Sequence, residues 1–268
     1  MRRFSIPQPM RCRCRRPSGQ APCSRYRDLP SAGGMRERPT IASEPRSSAS
    51  ARSGEATMQA AEGVVLPGER APVRVNMDRW RAGLPPDAWP DTLPASGELW
   101  RRDVFAVAEA YRAGSASPRQ LLTAVLVWGY GPIGYGPWRA TRSLDADPDG
   151  KRLAYALEEL STPAPDEEAL CTAYRRFGDP DHARLPWLGP GLFTKVLYFV
   201  GYRRGVGGVQ PLILDRVVAG LLPAEAGVGR RNGWSSEEWL AYLRWAAEQA
   251  RARAVEADEV EMTVAGGG

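Results

Sequence analysis

Lysine is almost missing from this sequence. Its 268 residues contain only Lys151 and Lys195, against 34 arginines. Where surface cations are written as Arg, each Lys is worth locating, because an ammonium group supports amine chemistry that a guanidinium does not. Histidine occurs once, as His182, and cysteine four times, as Cys12, Cys14, Cys23 and Cys171, with no Cys-x-x-Cys. These soft ligands are too few and wrongly spaced for zinc or an iron–sulfur cluster, so neither metal nor cofactor is expected. The cysteine usage suits a reducing cytoplasm. No run of about 18 apolar residues exists, which excludes a spanning helix. The longest apolar stretch, residues 121–129, is too short. Acidic residues are scarce only at the start: residues 1–58 carry 12 Arg against Asp28, Glu37, Glu44 and Glu55. The remainder has 24 basic and 27 acidic residues, a net of −3. The basic pI of about 9.2 therefore belongs to the tail and is no argument for DNA binding by the folded part.

What is there begins with that tail. Residues 1–58 are Arg, Ser, Pro, Ala and Gly without apolar periodicity, which predicts disorder. They read either as an arm that adheres to nucleic acid or as sequence ahead of a true start at Met35, Met58 or Met77, the second being preferred. Residues 59–95, with Trp80, Pro85, Pro86, Trp89, Pro90 and Pro94, predict an extended lead-in anchored by its aromatics.

From Ser96 the pattern is helical, and no strand-like alternation of useful length occurs. Ser96 caps a predicted helix running to Ala113, and Ser117-Pro118 starts another, ending near Trp128. Further helices are predicted over 137–144, 148–160, 166–177, 191–203, 211–222 and 235–254, with a frayed acidic and Gly-rich end over 255–268. The fold class is all-α. Between the second and third helices lies a glycine–aromatic segment, residues 129–138. With Trp128, its Tyr130, Tyr135 and Trp138, and the following Arg139, form either a base-stacking DNA-contact loop or a tight connection with core aromatics. Arg142, Arg203 and Arg204 are further phosphate candidates or ordinary surface. His182 reads as a turn residue, Asp145, Asp147 and Asp149 as a turn and helix cap, and Trp234, Trp239 and Trp245 as core.

The richest segment is residues 185–199, where Gly189-Pro190-Gly191 stands between an apolar approach and the apolar helix Leu192-Phe193-Thr194-Lys195. Two glycines permit a sharp turn and close approach to a partner. The helix N-terminus that follows directs N–H groups outward and binds phosphate without a cationic side chain. Gly189, Gly191, Leu192, Phe193 and Thr194 are thus the candidate DNA-backbone contacts. Then comes Pro211-Leu212-Ile213-Leu214-Asp215-Arg216-Val217-Val218, which sets a carboxylate at the start of an otherwise apolar helix, either as a cap or as a placed charge.

The Gly-Pro-Gly turn, Thr194, and Pro211-x-x-Leu214-Asp215-x-x-Val218 about 24 residues from Gly191 resemble the helix-hairpin-helix DNA glycosylase superfamily. With Trp128-Gly129 to Gly136-Pro137 and Thr194-Lys195 added, the segment resembles a bacterial branch, the 8-oxoguanine DNA glycosylase-fold family, over about residues 96–250. The resemblance implies a base-excision enzyme, monomeric and nucleoid-associated in the cytoplasm, that acts on double-stranded DNA. Such an enzyme flips a damaged base, here an oxidised purine, out of the stack. Asp215 would stabilise the cationic sugar as the N-glycosidic bond breaks. Bifunctional relatives carry a Schiff-base lysine two residues after the second hairpin glycine, a position held here by Phe193. Lys195 lies about 200° further round the helix, so a strict reading makes the enzyme monofunctional, with water as nucleophile. A register reset through the longer loop 203–208 would restore Lys195. The alternative is a non-catalytic helix-hairpin-helix DNA-binding module in a defence or regulatory context.

Overall fold

A computed structural model of the protein describes residues 65–266, and the basic tail lies outside them. The all-helical class is observed: ten α-helices and one pair of two-residue strands are found among the described residues.

The lead-in is not merely extended. Strand β1 (Val73–Arg74) precedes helix α1 (Met77–Gly83), whose N-cap Asn76 accepts a hydrogen bond from Arg79 N–H. Met77 and Trp80, three positions apart, turn one face inward and bury Trp80 to 2% exposure. Ser96 does not cap a helix either. Gly97 adopts φ +77°, and strand β2 (Glu98–Leu99) pairs antiparallel with β1. Helix α2 (Arg101–Arg112) starts only after Trp100, whose N–H is taken by the Asp103 carboxylate at 2.8 Å.

Helix α3 (Pro118–Tyr130) begins as its sequence predicts, with Ser117 and Gln120 capping reciprocally. Helices α4 (Gly136–Asp145), α5 (Lys151–Leu157) and α6 (Glu167–Gly178) follow. Asp147 accepts from Arg152 N–H and Leu153 N–H, the capping role read for that acidic triplet. Helix α7 (Pro190–Gly201) is buried from Phe193 onward and packs on α2, α3 and α6. A helix apolar all round is a core helix, and α7 is the one the others enclose.

Residues 211–215 are non-helical, so helix α8 is short, Arg216–Leu221. Helix α9 (Ser236–Arg253) buries Trp239 at 0% exposure, and Trp234, just before it, is buried at 5%. The predicted frayed end is instead helix α10 (Ala257–Gly266), packed on α9 and α8. Its acidic residues are not a solvated face. Glu261 grips buried Arg101 at 2.7 and 3.2 Å. Asp258 accepts from the Tyr198 and Tyr202 hydroxyls and from Arg204. Sequence patterning cannot tell a solvated carboxylate from one that meets a distant arginine.

Candidate active site: a lysine–aspartate pair beside the hairpin

Helix α6, the turn after it and α7 make the helix-hairpin-helix. In the turn His182 bonds Asp179 at 2.7 Å and stacks on Tyr155, so it serves the turn. Gly189 is the N-cap of α7 with extended backbone, and Pro190 takes the first helical position.

Three of the proposed backbone contacts are turned inward or used up. Phe193 is 2% exposed and lies parallel to Phe177, with centroids 5.2 Å apart. Thr194 is fully buried, and its hydroxyl reaches the Pro190 carbonyl at 2.8 Å and the Leu214 carbonyl at 3.2 Å while accepting from Leu214 N–H. The Leu192 and Phe193 N–H groups both close on the Gly189 carbonyl, at 2.8 and 2.9 Å. The open hairpin positions are Gly189, which is exposed, and Gly191, which is half-buried.

Thr194 has a different importance. By clasping both polar groups of Leu214 it fixes the non-helical residues 211–215 against α7, which sets Asp215 opposite the next α7 residue, Lys195. The Lys195 ammonium meets Asp215 Oδ2 at 2.6 Å. The other carboxylate oxygen accepts from Val217 N–H at 3.0 Å and Val218 N–H at 3.1 Å, so Asp215 is both the cap of α8 and a placed charge. Burial pushes the Asp215 carboxyl up, but the Lys195 charge and these N–H donors outweigh it and hold it below the usual aspartate range. Its partner is Lys195, not the neighbouring Arg216. The rotation counted from Gly191 does not remove Lys195 from the site. Phe193, the position that spacing selects, lies in the aromatic core, and Lys195 faces the carboxylate.

The lysine stem needs room, and Gly129 provides it. A Cβ there would stand 3.1 Å from Leu192 Cδ2 and 3.2 Å from Lys195 Cδ. Gly129 thus lies inside α3, where α3 and α7 approach, and not in the predicted loop. The Lys195 side chain is 8% exposed and that of Asp215 30%, so the carboxylate is the outward member. Trp128 is also in α3, its ring centroid 5.9 Å from the Lys195 ammonium and 5.3 Å from the Arg101 guanidinium. Its buried indole N–H has no acceptor among the described residues.

The glycine–aromatic segment divides. Tyr130 is interior at 7% exposure, its hydroxyl on the Trp187 carbonyl at 3.3 Å. Tyr135 and Trp138 are about half exposed, at 50% and 51%. Arg139 lies over Tyr135 at 4.0 Å and over Trp187 at 4.7 Å. Of the other arginines read as phosphate candidates, Arg203 donates to the α7 carbonyl of Val200 and to that of the C-cap Tyr202, and Arg204 pairs with Asp258 and Glu259. Sequence reasoning placed Gly129 in the loop and not beside the lysine stem, and gave no role to Trp187. Their only signal was position, beside Trp128 and two residues before Gly189.

The model of the family described as "Putative 8-oxoguanine DNA glycosylase OGG-like protein" matches residues 67–264. The chain belongs to this family. No curated protein and no solved structure matches it. Membership makes the chain a glycosylase-like DNA-repair protein with DNA as its partner. The matched span runs from before β1 into α10, so the lead-in and the terminal helix are part of the family unit. No helix among the described residues is long and apolar enough to cross a membrane.

Proposed function

We propose that the protein is a DNA glycosylase that excises a damaged base, of the oxidised-purine class in the family's description, with Lys195 as nucleophile and Asp215 as its partner. The observation that carries this reading is the 2.6 Å contact between a buried lysine and a partly open carboxylate. A target nucleotide flips from the duplex, most cheaply when it is damaged. Gly189 and Gly191 at the α7 N-terminus hold a backbone phosphate. Asp215 stays ionised and stabilises the positive charge that grows on the sugar, strongly so in a partly dry cleft, while the Lys195 ammonium gives one proton to the departing base. The freed amine forms a bond to C1′ as the C1′–N bond breaks. Opening of the sugar ring then yields a Schiff base.

A second reading, a non-catalytic DNA-binding module, is favoured by the saturation of Asp215, since both its oxygens have partners. A cap alone, however, has no need of a buried lysine. The deciding experiment incubates the full chain with end-labelled duplexes bearing one 8-oxoguanine, uracil or hypoxanthine. Controls are Asp215→Asn and Lys195→Gln, with and without alkali, plus borohydride trapping. Strand cleavage without alkali and a trapped adduct, both lost in Lys195→Gln, are expected. Alkali-dependent cleavage retained in Lys195→Gln would make water the nucleophile. Binding of every duplex without cleavage would favour the module.

A further inference from the structure

Trp187 is held where a tryptophan costs most. Its φ is +62°, and only Ala254 shares positive φ among the described non-glycine residues. Its indole is 46% exposed. The strained backbone is pinned on both sides, by the Tyr130 hydroxyl on its own carbonyl and by Ser143 on that of Pro186. A left-handed tryptophan is strained and persists only when its surroundings over-determine it. Here they aim an apolar ring at solvent.

That ring is not alone. Trp138 lies 5.5 Å away, tilted by 57°, so the two indoles do not cover each other's faces. The Arg142 guanidinium sits 4.2 Å over Trp138, and Arg139 bridges Tyr135 and Trp187. Neither Arg139 nor Arg142 has a carboxylate at ion-pair distance among the described residues. Depressions flank the pair. One of about 600 Å³ runs past Arg152, Arg184 and Trp187 to the hairpin Gly189, with no carboxylate in its lining. The other, about 610 Å³, is bordered by Arg79, Trp138 and Arg142, with Asp145 at its edge.

We propose that Trp187 and Trp138 form a stacking site for one unpaired nucleobase of a DNA strand whose backbone follows these two arginine-lined grooves. No hydrogen bond or ring contact joins Trp187 or Trp138 to Lys195 or Asp215 among the described residues, and the proposal rests on the reading that the chain acts on DNA. Exposed indoles stack any base, and guanidiniums with no carboxylate at ion-pair distance among the described residues supply backbone charge without reading sequence. The protein therefore distinguishes DNA with a locally unpaired base from perfect duplex, whatever that base is.

The test is equilibrium binding of the full chain at one fixed salt concentration to a single-stranded oligodeoxynucleotide, a duplex with a one-base bulge and a matched duplex. Each is compared for the wild type, Trp187→Ala, Trp138→Ala and Trp187→Phe. Loss of one stacked base weakens binding by about tenfold. That loss is expected for both alanine variants on the single strand and the bulge, with less than a twofold change on matched duplex and near-full rescue by Trp187→Phe. An equal loss on all three ligands, no loss on any, or tighter binding of an RNA of the same sequence would overturn the proposal. Excision by the wild type with no Trp187 effect on binding removes this site and leaves the enzyme. Trp187-dependent binding without excision does the reverse.

Discussion

Replacing Asp215 in two ways separates its two roles. In Asp215→Asn the Oδ1 position remains a carbonyl oxygen that can accept from Val217 and Val218 N–H, so the α8 cap survives. In Asp215→Ala it does not. Both variants strip Lys195 of its counter-charge, so that loss cancels between them. Their difference in stability is then the cap alone, about 1 kcal/mol with a range of roughly 0.5–2. For a fold of this size that difference corresponds to about 2–4 °C in thermal midpoint, Asn above Ala. Excision behaves otherwise. A fixed charge aimed at the developing transition state contributes about 10²–10³ in rate, and both variants lose it. Single-turnover excision and thermal unfolding of the same preparations provide the assay. Asp215→Asn retaining more than a tenth of wild-type excision would refute the placed-charge role. Equal midpoints for Asn and Ala would refute the cap.

Acidity tests the same carboxylate. Because its folded-state pKa is lowered, Asp215 contributes stability that is present above the ordinary aspartate pKa of about 3.9 and lost as pH falls through its lower folded value. Asp215→Asn is expected to flatten that acid limb in chemical denaturation. A limb unchanged from wild type would exclude Asp215 as its source. Thr194→Val keeps the volume but leaves Leu214 N–H without its acceptor, a cost of about 1–3 kcal/mol. If the clasp positions Asp215, excision falls as well, and loss of stability with full excision would disprove that link. Glu261→Ala leaves the Arg101 guanidinium buried without its partner, about 3–5 kcal/mol by the usual cost of breaking such a pair. A variant that melts with the wild type would contradict the observed pairing of α10 with Arg101.

Local chemistry was enough for much of the frame. The Ser117–Gln120 capping box, the proline-initiated α3 and the apolar run of α7 carry their structure in adjacent residues, because caps and helical periodicity act over one or two turns. The motif pair, hairpin and Asp215, was likewise legible as a pattern of residue types. The sequence alone therefore determined an all-helical chain, a helix-hairpin-helix and a family. Tertiary structure decided which motif residues face the site. Phe193 and Thr194 went to the core, Lys195 came opposite Asp215, and Gly129 became the gap that admits its stem. Trp187 emerged as the centre of an aromatic surface formed with Trp138 and Arg139. The acidic end of the chain became α10 because Arg101 and Arg204, far off in sequence, supply partners for Glu261 and Asp258. The physical reason is range. Propensity and capping are settled by neighbours along the chain, whereas burial, ion pairing and exposure depend on what folding brings across from elsewhere.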